Sequence, residues 1–348
     1  MPTNQPKTYS ILFDYIRVFA MMGVLAVHLS QQFPMPALLK SVLGMGACCV
    51  QVFFVISAYL ACSFFYKPKA TTLGYYKNRT IRILPTYYAA ITAAIIYVSF
   101  FTNGFPVDTY GLGWLRYFLA LNTILPSDSF WHWNNAFAFW TMTDFIFFYA
   151  IMPFIIKIVR SFHRSIVFFI ICYAAHLCTY KTHVFLPTDI WSEQNTLIAW
   201  SPFGQMLHFS LGIMAYFAVK MDKRSHASIL IILLAALPGP FCSPSLLFSI
   251  LTCLFILTVK SSDILIHGAR LNCLKLLSKY SFHIYLTHML ALTIGTRVAS
   301  IICEPSTFYF HAVKLVVTVV ATILLCLFLE ISQRIANWLF LQRKSNPC

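Results

Sequence analysis

Ten mainly apolar stretches recur along this chain, at 10–29, 42–65, 82–101, 136–156, 165–180, 200–219, 227–241, 245–259, 281–302 and 311–331. A helix needs about 20 such residues to cross the hydrocarbon core of a bilayer. The composition agrees: of 348 residues, 59% are apolar and only 10% charged, with a mean hydropathy of +0.74. A soluble domain carries about 25% charged residues, so this chain has too little polar material to coat an exterior in water. The expected fold is therefore all-α, a polytopic membrane helical bundle of about ten transmembrane helices forming one domain over 1–348. A short N-terminal segment, 1–9, and a C-terminal tail, 332–348, flank the spans, and no appended soluble domain is expected. Asp14 and Arg17 interrupt the first run and no A-x-A site follows, so it reads as a retained span rather than a cleaved signal peptide.

Two places need a decision. The seventh and eighth runs are short and split by the Pro/Gly turn PGPFCSP. They read as a tight hairpin of two spans, the alternative being one broken span. The segment 112–125, GLGWLRYFLALNTI, is apolar but short and carries Arg116. It reads as an interfacial or re-entrant piece.

The net charge of +15 suggests a nucleic-acid partner only if the basic residues share one exposed face. In a membrane protein the excess has a simpler meaning, because Lys and Arg collect in cytoplasmic loops. With the N-terminus placed in the cytoplasm, ten spans put 19 of the 25 Lys and Arg on that side, five outside and Arg17 within a span. The expected topology has both termini cytoplasmic, in the cell (plasma or inner) membrane. No internal repeat is visible, which counts against a transporter built from repeats. The eleven cysteines are scattered, mostly within apolar runs, with no C-x-x-C pair. They read as small apolar packers, and no metal site is expected.

Ionisable groups inside spans are costly and are functional candidates for that reason. The first span holds Asp14, Arg17 and His28. Arg17 and His28 are eleven residues apart, so at about 100° per residue they share one helix face, about 16 Å apart along the axis. Either they form two ends of a site, or Arg17 snorkels inward and His28 anchors at the outer interface. Arg79 and Arg82 open the third span, three apart on one face. They can fork around a diphosphate, or they are ordinary cytoplasmic charge. The fourth span carries Trp140, Asp144 and Tyr149, and the ninth carries His288 near mid-membrane. An acid as deep as Asp144 calls for a partner. His288 reads either as a site residue or as a buried neutral histidine bonded to a neighbouring helix.

Taken together, these segments resemble the integral-membrane acyltransferase family 3, whose members include O-acetyltransferases of O-antigens and exopolysaccharides. FDYIRVFAMMGVLAVH matches the family's R-x10-H motif from Arg17 to His28. GACCVQVFFVISAYL is similar to its second span, with Ala58 where glycine is usual. Arg79 and Arg82 in YYKNRTIRILPTYY match its R-x-x-R motif. WTMTDFIFFYAIMP matches the central motif at Trp140, Tyr149 and Pro153, but Phe145 stands at the acidic position, one place after Asp144. LSKYSFHIYLTHMLAL resembles the late segment ending at His288. The five matches run in order over about 280 residues.

The resemblance implies an acyltransferase that takes an acyl group, usually acetyl, from cytoplasmic acyl-CoA. The acceptor it implies is a sugar hydroxyl on a cell-surface or lipid-linked glycan. It implies that Arg17, His28, Arg79 and Arg82 are essential. Acyl-CoA is then a co-substrate, and no permanently bound cofactor is expected. On this reading Arg79 and Arg82 hold CoA phosphates, with Arg17 helping or orienting the pantetheine, and the thioester extends towards His28. His28 accepts the proton of the attacking hydroxyl, or it is itself transiently acylated; both routes stay open. Asp144, Trp140, Tyr149, His288 and Asp14 are candidates for binding the acceptor or supporting the site. The competing function is a multi-span exporter of a glycan or lipid precursor, which would use the same charges as a permeation path.

Overall fold

The computed structural model describes residues 8–101, 113–124, 138–181, 200–221, 243–261, 271–305 and 307–345. Among these residues the regular structure is helical throughout. The helices are α1 (Thr8–Gln32), α2 (Ala37–Gly44), α3 (Cys49–Phe65), α4 (Thr72–Phe101), α5 (Leu115–Phe118), α6 (Trp140–Ile158), α7 (Phe162–Lys181), α8 (Pro202–Ala218), α9 (Pro244–Ser261), α10 (Leu271–Ile302) and α11 (Phe308–Ser345). A 3-10 turn, Met45–Cys48, joins α2 to α3.

Among the described residues, six stretches are long and apolar enough to cross a membrane: Ile11–Gln32, Ala37–Phe65, Thr72–Phe101, Trp140–Ile158, Asn272–Ile302 and Phe308–Leu339. Phe162–Cys178 and Pro244–Val259 are shorter apolar helices. α8 is buried along its length apart from Phe203, the signature of a helix surrounded by other helices. The seventh run, 227–241, and most of the hairpin turn lie outside the described residues.

Three helices extend well past their hydropathy runs. α4 begins at Thr72, not near 82, and α10 begins at Leu271, not near 281. α11 continues to Ser345, so most of the expected tail 332–348 is the end of that helix. Apolarity marks where lipid begins, whereas Lys, Arg, Gln and Leu in these flanks favour helix. Segment 113–124 holds only the single turn α5. Its tie to α4 is a hydrogen bond from the Tyr87 hydroxyl to the Tyr117 carbonyl, at 2.7 Å.

The chain forms two compact units. The first comprises Met1–Ala70 and Phe147–Ser281, the second Thr71–Ile146 and Phe282–Cys348. In the first, α3, α7 and α9 pack against α8. Gly212 of α8 lies directly against the Val55 carbonyl and Ala58 of α3, with no room for a Cβ. Small residues let membrane helices approach this closely. Phe209 stacks between Phe54 and Phe148, at 4.6 and 4.2 Å between ring centres.

Polar bonds then tie the same helices together. Gln51 donates to Gln205 at 3.1 Å, His176 to the Gly204 carbonyl at 2.8 Å, and His208 to the Ser249 hydroxyl at 2.8 Å. α1 meets the 3-10 turn where Gly46 sits on the Gly23 carbonyl. In the second unit α4 packs along α11, and Gly295 of α10 lies against Lys314 and Thr318 of α11.

Gly212→Ala is expected to destabilise the protein by about 1–3 kcal/mol, because the neighbour it meets is backbone. Gly44, whose Cβ would meet open space, should accept alanine without loss. Thermal unfolding in detergent measures both, and equal effects would contradict the close α3–α8 approach.

Candidate active site

α1 runs unbroken from Thr8 to Gln32, so Arg17 and His28 do share a face. That face also carries Phe13, Ala20, Met21 and Val24, all buried. Both residues are half-buried. They therefore point along the packed stripe of α1 rather than into lipid.

Arg17 is anchored. Its Nη1 lies 3.2 Å from Asp14 Oδ1. The same oxygen accepts the Ser278 hydroxyl of α10 at 2.6 Å. Asp14 thus holds Arg17 from one side and ties α1 to α10 from the other. His28 Nδ1 lies 3.0 Å from Gln31 Oε1. That pairing needs the proton on Nδ1 and leaves the lone pair on Nε2, the form a general base requires. Tyr149, on α6, is buried in this first unit.

The other candidates belong to the second unit. On α4, residues 75, 79, 82 and 86 fall within about 60° of one another, and Tyr75 and Thr86 are buried. Arg79 and Arg82 lie on that stripe, Arg79 half-buried and Arg82 exposed. The Arg79 guanidinium sits 5.5 Å from the centre of the Tyr75 ring, a cation–π contact that limits its swing.

Asp144 is fully buried in the second turn of α6. Neither of its carboxylate oxygens has a hydrogen-bond partner among the described residues. Phe145, at the motif's acidic position, is half-buried, so the acid that faces the interior is Asp144. One turn before it, Thr141 and the Tyr285 hydroxyl of α10 are 3.0 Å apart. His288, one turn beyond Tyr285, donates from Nδ1 to the Tyr285 carbonyl at 2.6 Å and is 2% exposed. Thr143 donates to Asn122 at 2.6 Å, and Asn122 to the Phe139 carbonyl at 3.0 Å. These bonds fix the start of α6, where Trp140 is half-buried.

The structure thus joins Asp14 to Arg17, aligns Arg79 with Arg82, and gathers Trp140, Asp144 and His288 around the Thr141–Tyr285 contact. Sequence reasoning missed several partners. Ser278 and Tyr285 lie within the late segment LSKYSFHIYLTHMLAL but were not singled out there, and Gln333 of α11, whose side chain bonds Thr86 and the Ile81 carbonyl of α4, is a common polar residue without a spacing signal. Arg116, expected in an interfacial piece, is 3% exposed. Glu330 could have been found, because it is the remaining acid, with Asp14 and Asp144, inside the ten apolar runs. Its carboxylate lies 3.1 Å from Arg334 and 4.0 Å from His283.

A helical multi-pass membrane protein with buried ionisable groups on several spans is the class these features define. A family model described as an acyltransferase domain matches residues 11–331. The chain belongs to this family, acyltransferase family 3, and is a membrane acyltransferase. No curated protein and no solved structure matches it.

Asp14→Ala removes both of that carboxylate's bonds and is expected to cost about 1.5–3 kcal/mol, against about 1 kcal/mol for Ser278→Ala. Denaturant unfolding in detergent compares them. A Ser278→Ala loss as large as that of Asp14→Ala would contradict the anchoring of Arg17 by Asp14.

Proposed function

We propose that this acyltransferase moves an acyl group, most simply acetyl, from cytoplasmic acyl-CoA to a hydroxyl of a cell-surface or lipid-linked glycan. The observation that carries the reading is the placement of three of the four charged motif residues on packed helix stripes. Ordinary topological charge would face water or the lipid boundary, as Arg82 does, whereas Arg17, His28 and Arg79 are half-buried beside aromatic and apolar side chains.

Each role follows from its chemistry. Arg79 and Arg82 take phosphates of the donor, since planar guanidinium groups bind phosphate oxygens in pairs. His28 Nε2 accepts the proton as the glycan hydroxyl attacks the thioester carbonyl. The C–S bond breaks, CoA leaves as thiolate and takes that proton, and an ester remains on the sugar. In the two-step variant, Nε2 attacks the thioester and expels CoA as thiolate; the hydroxyl then attacks the acyl-imidazole, the C–N bond breaks, and the hydroxyl proton passes to the freed Nε2. Arg17, held by Asp14, supplies a fixed positive charge on the same helix face. Asp144, Trp140, Tyr149 and His288 supply acceptor contacts: a carboxyl and an imidazole for sugar hydroxyls, and aromatic rings for the sugar face.

The proposed frame has ten spans with both termini in the cytoplasm of a cell (plasma or inner) membrane. The distribution of 19 of 25 basic residues supports it.

His28→Ala is expected to abolish acyl esters on the cell's glycans while protein still accumulates in the membrane. NMR of the surface glycans reads the ester, and undiminished acylation would remove His28 from the mechanism. Arg79→Ala and Arg82→Ala should each raise the acyl-CoA KM about tenfold or more, the scale of one lost charge-assisted bond. A fall in kcat at unchanged KM would argue against phosphate binding.

A further inference from the structure

Pro85 lies inside α4, three residues past Arg82. A proline has no N–H, so the carbonyl four residues earlier receives no helical hydrogen bond. In α4 that carbonyl belongs to Ile81, which sits between Arg79 and Arg82. An orphaned carbonyl within a membrane span needs another donor. Gln333 of α11 provides it, its Nε2 donating to the Ile81 carbonyl oxygen.

The same side chain also reaches the far side of the proline. Its Oε1 accepts the Thr86 hydroxyl at 2.7 Å. Nε2 lies 3.3 Å from Asn337 Oδ1, one turn along α11. One carboxamide therefore brackets the break, bonding the backbone before Pro85 and the side chain after it. The task needs a donor and an acceptor on one planar group. Leucine offers neither, and an ionised glutamate offers only the acceptor.

We infer that Gln333 is a positioning residue of the donor site. By closing the gap that Pro85 opens, it fixes the turn of α4 that carries Arg79 and Arg82 and so orients both guanidinium groups for the donor's phosphates. This rests on the phosphate-binding role proposed above for that pair. Gln333 itself does not touch the donor. Without it, the Ile81 carbonyl is unsatisfied and α4 bends more easily at Pro85, so the fork loses its fixed geometry.

The test is equilibrium binding of acetyl-CoA and of S-acetylpantetheine, which lacks the nucleotide phosphates, to the purified full-length protein. Gln333→Leu and Gln333→Glu are both expected to weaken acetyl-CoA about tenfold, the scale of one charge-assisted contact, and to leave S-acetylpantetheine unchanged. Pro85→Ala returns an N–H to the Ile81 carbonyl, so in that background Gln333→Leu should cost less than about threefold, the coupling expected of groups sharing one bond. If either Gln333 variant fails to fold, the other and the double variant carry the test.

Equal weakening of both ligands, unchanged acetyl-CoA binding, or the same loss with Pro85→Ala as without it would overturn the inference. Arg79→Ala and Arg82→Ala separate the two levels. If they do not weaken acetyl-CoA relative to S-acetylpantetheine, the phosphate reading itself fails. If they do and the Gln333 variants do not, only the role of Gln333 fails.

Discussion

Inside a bilayer a polar group has to find its partner within the protein, and the architecture of this chain follows from how that demand is met. Gln51 meets Gln205, His208 meets Ser249, Ser278 meets Asp14 and Gln333 meets Ile81. Each bond ties one helix to another. Glycines at 23, 46, 212 and 295 bring backbones close enough for such bonds to form. With only 10% of residues charged, each ionisable group left in this interior carries either a structural anchor or chemistry.

The division between anchor and chemistry can be seen in two pairs. Asp14 and Arg17 are close in sequence, and Asp14 takes a further hydroxyl from Ser278, so the acid is the anchor and the arginine is presented. Arg79 leans on Tyr75, which limits its swing, while Arg82 on the same stripe is exposed; the phosphate-binding role proposed for the pair draws on both. Asp144 is the exception. It is buried with no hydrogen-bond partner among the described residues, in contrast to Asp14, which has two.

Much of this was legible in the sequence for a physical reason. Lipid imposes a length and an apolarity on each crossing, so runs such as 10–29 and 311–331 announce helices. Eleven residues is just over three turns, so the shared face of Arg17 and His28 follows from helix geometry alone. Helix ends were not legible, because hydropathy reports the lipid boundary and not the last hydrogen bond; α4, α10 and α11 all run past it. Tertiary partners were hidden too. Ser278 is 264 residues from Asp14, and Gln333 is 247 from Thr86. Their residue types are common, and only the fold brings them to the charges they serve. Pro85 could have pointed to Ile81 as a carbonyl in need of a donor, but not to α11 as its source. At the central motif the sequence alone could not tell which of two neighbouring positions faces inward; Asp144 is fully buried and Phe145 half-buried.

Family membership makes the chain a membrane acyltransferase, and the roles proposed for residues of α1 and α4 are those of a base for a hydroxyl and a site for a phosphate-bearing donor. The most direct measurement uses purified protein in a lipid nanodisc, given acetyl-CoA together with glycan from the producing cell. The account predicts release of free CoA thiol that depends on the glycan, matched one for one by new acetyl ester on it. Thiol release without ester, or no thiol release with active protein, would contradict it.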